Sequence, residues 1–253
     1  MVGIYFSGTG NTKYCVETFV KECDAAALAF SIEEENIAQI ISDRKEIVFG
    51  YPVQFSNLPK MLKDFVVSNS DIWRDKKVFI IATMGLFSGD GSGMLARLLE
   101  KYGAIVEGGL HLKMPDSIGD EKALKRSLQE NQTLVKKAAL KIKSAAHDLK
   151  SGNPPQEGIG LRYHLAGLFG QRLYFRNKTK TYTDKLKINK NKCIGCGKCV
   201  DLCPMKNIRF EEQKAVSGNR CTMCYRCINK CPAQAITLLG KRVIEQCCLE
   251  KYL

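Results

Sequence analysis

No apolar run in this 253-residue chain approaches the eighteen or so residues that a membrane-spanning helix needs. The longest uncharged stretch, Val78 to Gly89, reads as a core strand with its loop. A basic, then apolar leader is also missing. Met1-Val-Gly-Ile-Tyr-Phe6 enters a glycine loop at once, unlike a secretory signal. Together these absences predict a cytoplasmic protein with no membrane span, in which thiols stay reduced and available to metal. The glycine loop lacks both G-x-G-x-x-G and the Lys-Ser/Thr pair of a nucleotide-triphosphate loop, which argues against dinucleotide and NTP binding. Histidine is scarce: His111, His147 and His164 form no cluster and are assigned no role. Tryptophan occurs once, as Trp73.

Positive charge, by contrast, is plentiful and uneven. The formal net charge is +13. Residues 1–115 carry 12 basic and 14 acidic side chains, whereas residues 151–253 carry 19 and 7. Bound anionic groups would offset part of this excess, since the charge of a site includes its ion.

Cysteine is the abundant residue that matters, with 12 in all. Eight fall in two copies of one spacing, C-x2-C-x2-C-x3-C-P. The first copy is Cys193, Cys196, Cys199 and Cys203-Pro204; the second is Cys221, Cys224, Cys227 and Cys231-Pro232. This run resembles that of two-cluster bacterial ferredoxins. Three thiolates two residues apart can wrap three corners of a [4Fe–4S] cube, and the fourth, beyond a short turn, closes the other cube. One cluster is then expected on Cys193, Cys196, Cys199 and Cys231, the other on Cys203, Cys221, Cys224 and Cys227. Zinc sites have no use for a third cysteine at the same interval, repeated in tandem. Disulfides are disfavoured because C-x2-C steps place sulfurs badly for bridging.

Residues 1–115 alternate between β-rich runs and helical stretches. Strands are expected at Val2–Phe6, Ala27–Ile32, Glu46–Tyr51, Lys77–Thr83 and Ala104–Leu112, and helices at Asn11–Lys21, Pro59–Val67 and Gly93–Tyr102. Such alternation implies a parallel sheet covered on both faces. A long helix is expected from about Glu121 to Lys150, with one apolar face at Leu124, Leu128, Val135, Ala138, Ile142, Ala145 and Leu149. Ser151-Gly-Asn-Pro-Pro155 marks a boundary. The expected units are residues 1–150, a basic and aromatic connector at 151–187, the cysteine module at 188–240, and a tail at 241–253.

The first strand runs into Ser7-Gly8-Thr9-Gly10-Asn11-Thr12, then a helix, which makes a ready anion site. A tight βα turn with a good N-cap is the plainer reading of that loop alone. Two further loops, Gly50-Tyr51-Pro52-Val53-Gln54-Phe55-Ser56-Asn57-Leu58-Pro59 and Thr83-Met84-Gly85-Leu86-Phe87-Ser88-Gly89-Asp90-Gly91, lie at the carboxyl ends of strands three and four, at the switch point of a 2-1-3-4-5 sheet. S-x-T-G-x-T after strand one with G-x-P after strand three resembles flavodoxin. The resemblance implies an FMN whose phosphate is held by Ser7, Gly8, Thr9, Gly10, Asn11 and Thr12. Its ring would be bracketed by Pro52, Val53, Gln54, Phe55 and Asn57 and by Thr83, Met84, Gly85, Phe87 and Gly89. Flavodoxins often stack Trp and Tyr on the ring; Trp73 lies outside the loops, which leaves Phe55 and Phe87 as substitutes. Asn57 is the residue of its loop that best tolerates a positive φ.

As a whole the chain resembles the flavodoxin–ferredoxin fusion proteins of anaerobic bacteria known as EFR-family ferredoxins. That implies a doubly wound flavodoxin-like sheet followed by a small α+β domain with two [4Fe–4S] clusters. It also implies a low-potential electron carrier rather than a substrate-specific enzyme, with no catalytic residue. The alternative is an FMN-dependent reductase fed by its own clusters. The connector residues Arg162, Tyr163, His164, Phe169, Arg172, Tyr174, Phe175, Arg176 and Lys178 could suggest nucleic acid. They fit docking of the domains or of an acidic redox partner better, so no nucleic-acid partner is expected. Cys15 and Cys23 read as small hydrophobes, and Cys247-Cys248 as part of a plain tail.

Gly195 and Gly197 in the first cysteine loop are replaced by Met223 and Tyr225 in the second. Hydrogen bonding and solvent access set cluster potential, so the two centres should differ. Redox-titrated EPR is expected to resolve two midpoints; one shared midpoint would count against the assignment.

Overall fold

In the computed structural model of the chain, residues 1–86, 89–160, 163–164 and 181–253 are described. Five parallel strands, β1 (Val2–Tyr5), β2 (Ala29–Ser31), β3 (Glu46–Pro52), β4 (Lys77–Met84) and β5 (Ile105–Lys113), form one sheet in the order β2-β1-β3-β4-β5. This is the flavodoxin-like order expected. The central strands β3 and β4 are buried along nearly their whole length, as a sheet covered on both faces requires.

One face is covered by α1 (Asn11–Cys23) and α5 (Leu128–Lys150). Helix α1 lies very close to the sheet. A Cβ on Gly50 would come within 2.2 Å of Val16 Cγ2, and one on Gly3 within 2.7 Å of Val16 Cγ1. The other face is covered by α3 (Lys60–Ser68) and α4 (Gly91–Glu100), with the short α2 (Ile37–Ser42), which no sequence signal announced, beside them. Trp73 is buried there, its Nε1 donating to the Val66 carbonyl at 3.1 Å.

Helix α5 starts seven residues later than expected. Ser127 and Glu130 form a capping box, each side chain accepting from the other's backbone N–H, and a 3-10 turn at Lys122–Leu124 precedes it. Leu124 therefore falls outside the helix, and Leu128 is 55% exposed. The packed face is Val135, Ala138, Ile142, Ala145 and Ala146, with Asn131 buried among them.

The second unit is smaller. Strands β6 (Lys187–Ile188) and β9 (Ile236–Thr237) pair antiparallel, as do β7 (Ile208–Glu211) and β8 (Lys214–Ser217). Two short helices, α6 (Lys198–Asp201) and α7 (Arg226–Lys230), each follow a residue in the left-handed region, Gly197 at φ 80° and Tyr225 at φ 60°.

Neither expected boundary is a clean break. Gly109 N–H donates to the Pro155 carbonyl and Glu157 N–H to the Gly109 carbonyl, which ties residues 155–157 to the edge of β5. The segment 241–253 is not a loose tail. Leu249 and Tyr252 are buried in the core formed by α1, α5 and the sheet, and Cys247 and Cys248 are also buried. The two units are bolted together. One oxygen of the Asp120 carboxylate accepts from the backbone N–H of Leu238, Leu239 and Gly240 at 2.6, 2.9 and 3.1 Å. Asn229 donates to the Ser117 carbonyl at 2.8 Å and accepts from Cys247 N–H at 2.7 Å.

His111 on β5 accepts a hydrogen bond at Nε2 from Ser92 N–H at 3.1 Å. Burial pushes it down to about 4, with Lys141 acting in the same direction and Glu157 and Asp90 against it. A histidine held neutral stabilises the fold fully above its unfolded pKa near 6.5, and the contribution is lost as pH falls toward 4. Between pH 7 and 5 the wild type should lose about 2 kcal/mol more than His111→Gln. Denaturant unfolding at both pH values checks this; parallel losses in the two proteins would refute it.

Candidate functional site

The carboxyl ends of β1, β3, β4 and β5 meet at one cavity, where a parallel sheet of this order opens a crevice. Its walls include Ser7, Gly8, Thr9, Asn11 and Thr12 from the first loop, Pro52, Val53, Gln54 and Phe55 from the second, and Thr83, Met84 and Gly85 from the third. Gly10, Asn57 and Gly89 are not among the lining residues, and Phe87 lies outside the described residues. Phe55 lines the cavity, but its ring stacks on Tyr182 of the second unit, centroids 5.6 Å apart. Positive φ falls on Phe55 (47°) and Ser56 (57°), not on Asn57. Gln54 and Asn57 instead close a two-residue turn by exchanging backbone hydrogen bonds, and both central residues of such a turn need φ above zero.

Several groups in this cavity are unsatisfied. Ser7 Oγ and Asn11 Oδ1 are buried without a hydrogen-bond partner. Among the described residues, no hydrogen bond is donated by the backbone N–H of Gly8, Thr9 or Gly10. Asn11 is oriented by donation from Nδ2 to the Pro115 carbonyl at 2.7 Å, and Thr12 Oγ1 pairs with Thr83 Oγ1 at 2.8 Å. Buried polar groups of this kind are normally partnered. A ligand bearing both acceptors and hydroxyls, as FMN does, fits them. Among the described residues no Lys or Arg lines the cavity, so the donors there are neutral and sit at the N-terminus of the 13-residue helix α1.

Two walls had no forewarning. After β5, Met114, Pro115, Asp116, Ser117 and Ile118 line the cavity. Asp116 Oδ1 accepts from Ile118 N–H at 2.8 Å, and burial pushes this carboxyl up. The fact that β5 ends at the same sheet edge could have pointed to them. The other wall is Met223, Cys224 and Tyr225 of the second cysteine loop. Gly8 makes room for it: a Cβ there would fall 2.0 Å from the Cys224 carbonyl oxygen. Gln54 Nε2 donates to the Met223 carbonyl at 3.2 Å.

The cysteines surround two further cavities. Cys193, Cys196, Cys199 and Cys231 line one; Cys203, Cys221, Cys224 and Cys227 line the other. Each set takes three sulfurs from one motif and the fourth from the other. Among the described residues no three His, Cys, Asp or Glu side chains close on a point that a single metal ion could occupy. The sulfurs stand around space instead. Backbone N–H groups already point at some of them, Asn207 to Cys203 Sγ at 3.2 Å and Ala235 to Cys231 Sγ at 3.4 Å. Burial pushes the Cys199 thiol up to about 11 and Cys224 up to about 12, and Cys227 well above its ordinary value. Four thiolates in such a place need bound positive charge, which an iron–sulfur core supplies. The first cavity is the outer one. Cys196 is exposed, with Ile194 and Phe210 exposed beside it.

The geometry agrees with what the chain is similar to. Residues 3–107 match the family model described as a flavodoxin domain, and residues 185–232 the one described as a 4Fe-4S dicluster domain. The two matches support a fusion of a flavodoxin-like domain with a 4Fe-4S domain. These matches support a redox role in electron transfer, with FMN binding belonging to the first domain and [4Fe–4S] binding to the second. Among solved structures, the two-electron reduced flavodoxin of Megasphaera elsdenii is similar at 24% identity over 58% of this chain and 99% of that one, TM-score 0.42. Flavodoxin 2 of Bacillus cereus is similar at 19% over 59% and 97%, TM-score 0.43. Fusobacterium nucleatum flavodoxin bound to flavin mononucleotide is similar at 18% over 59% and 96%, TM-score 0.42. No curated protein matches the chain. Among the described residues no helix is long and apolar enough to cross a membrane.

Gly8→Ala tests the seam between the domains. The new methyl group meets backbone, not a flexible side chain, so the loops must separate. Overpacking of this kind costs about 1–3 kcal/mol. The variant should show a lower melting temperature and faster proteolysis between the domains; wild-type values in both assays would show that the close contact is dispensable.

Proposed function

We propose that this chain is an electron carrier of the EFR-family fusion type, holding two [4Fe–4S] clusters and one FMN. Cys193, Cys196, Cys199 and Cys231 would hold the outer cluster, and Cys203, Cys221, Cys224 and Cys227 the inner one. The first-loop residues Ser7, Gly8, Thr9, Asn11 and Thr12 would hold the flavin phosphate, and the loops at Pro52–Phe55 and Thr83–Gly85 would bracket the ring. The clusters supply one-electron chemistry and the flavin accepts or gives one or two electrons, while the protein sets placement and potential.

One observation carries this reading. Met223, Cys224 and Tyr225 line both the flavin cavity and the inner cysteine cavity. A single three-residue wall separates the two sites, and Cys224 belongs to it. Electrons arriving at the exposed Cys196 face would pass inward and cross this wall. Water is excluded there: Met223 and Tyr225 of the wall, and Cys227 of the same loop, are all at least nine-tenths buried. No contact of comparable weight favours the reductase alternative. The partners that fit are redox proteins, docking where the outer cysteine set reaches the surface.

Anaerobically purified chain should contain about eight iron atoms, about eight sulfides and one FMN. After flash reduction, cluster absorbance should recover as flavin absorbance bleaches, at a rate independent of protein concentration. A rate that scales with concentration would place the transfer between molecules and sink the proposal.

A further inference from the structure

The loop that the preceding reading assigns to the flavin phosphate is held from behind by residues of the other half of the chain. Arg226 Nη2 donates to the Ser7 carbonyl at 2.8 Å, and Leu249 N–H donates to the Thr9 carbonyl at 3.0 Å. Both donors lie far outside residues 3–107, the stretch that matches a flavodoxin domain. In a planar trans peptide the carbonyl and the next residue's N–H point in opposite directions. Fixing the Ser7 carbonyl on Arg226 therefore aims Gly8 N–H the other way, and fixing the Thr9 carbonyl on Leu249 does the same for Gly10 N–H. These are two of the N–H groups that donate to nothing among the described residues; Gly8 lines the cavity, and Gly10 lies between its lining residues Thr9 and Asn11.

We infer that Arg226 and the Leu249 backbone are positioning residues of the flavin-phosphate cradle, so that tight FMN binding is a property of the whole chain and not of its flavodoxin domain. The inference rests on the FMN reading above and adds which residues shape its phosphate subsite. Arg226 acts by orientation more than by charge. Its guanidinium is already paired with Glu33, Nη2 to Oε1 at 2.6 Å and Nη1 to Oε2 at 2.8 Å. Leu249 is firmly anchored. It is 6% exposed and packs on Gly10, where a Cβ would lie 3.1 Å from Leu249 Cβ. Gly10 itself sits at φ 95°, one of several conformations open to glycine, so its own backbone does not hold the loop in this shape.

The Leu249 donor can be removed by substitution. Leu249 is the first residue of a 3-10 turn, and Cys248 before it is extended at φ −135°, ψ 139°. That backbone suits proline at position 249, whose ring then stands where the N–H was and turns the Thr9 carbonyl away. Leu249→Pro removes the N–H, whereas Leu249→Ala shortens the side chain and keeps it. The full chain, with its iron–sulfur centres intact and flavin removed, would be titrated with FMN and with riboflavin, which has no phosphate. Leu249→Pro should bind FMN about tenfold more weakly than Leu249→Ala, the effect of one lost hydrogen bond, with riboflavin affinity the same in both. Equal FMN affinity in the two variants, or equal loss of FMN and riboflavin, overturns the inference. A second measurement needs no variant. Binding and positioning are reciprocal, so amide exchange across residues 246–253 of the wild type should slow with FMN and not with riboflavin; unchanged exchange with FMN overturns the inference. Wild-type chain that binds neither flavin would remove the FMN reading itself, a result distinct from either.

Discussion

The carbonyl of Cys224 occupies the space where a side chain on Gly8 would be. Everything else in the arrangement depends on that approach of two backbones. It brings the second cysteine loop to the edge of the parallel sheet, and so makes two separate cavities neighbours with one wall. A glycine at position 8 serves the first loop of the sheet cavity and the seam at once. The bonds around it, from Arg226 to Ser7 and Glu33 and from Gln54 to Met223, fix the approach in direction as well as distance.

The internal repeat shows how the wall came to be made of side chains. Each cysteine loop needs left-handed backbone at the two positions that flank its second cysteine. In the first copy these are Gly195 at φ 69° and Gly197 at φ 80°; in the second they are Met223 at φ 54° and Tyr225 at φ 60°. Glycine meets that demand at no steric cost, whereas other residues are held there at a cost on the order of 1 kcal/mol. The second copy bears the cost twice, and at two residues that line the cavity at the sheet edge. Strain that recurs where a wall is needed, and is absent from the outward-facing copy, fits selection for the wall.

Much of this was legible in the chain. Alternating strand and helix signals give the parallel sheet covered on both faces, and the rule that crevices form at the carboxyl ends of strands picks out the loops after β1, β3 and β4. The cysteine spacing likewise anticipates the crossed grouping of sulfurs around two cavities. What stayed hidden depends on long-range contact. Asp120 reads as an ordinary acid before a helix until three N–H groups of the second unit converge on it. The last dozen residues show no periodicity, yet Leu249 and Tyr252 complete the core beneath α1. Phe55 lines the cavity at the end of β3, yet its ring stacks on that of Tyr182, a residue 127 positions later. No local pattern encodes such a partner.

The burial gradient along the cysteines gives the molecule a direction. Cys196 is exposed, Cys199 and Cys227 are buried, and Cys224 is closed off by the flavin cavity on one side and the inner cysteine cavity on the other. A charged centre is stabilised least where water and N–H donors are fewest, so the inner site should hold added negative charge less readily unless local dipoles compensate. Arg226, inside the inner loop between Cys224 and Cys227, supplies such compensation. Its hydrogen bond to Glu33 favours the protonated form most, and the charges of Cys224 and Cys203 act in the same direction. The same guanidinium thus faces the inner sulfurs, anchors the seam and orients the Ser7 carbonyl. Under the proposed cofactor assignment, a change in charge at the inner sulfurs would act on the loop after β1 through this one side chain.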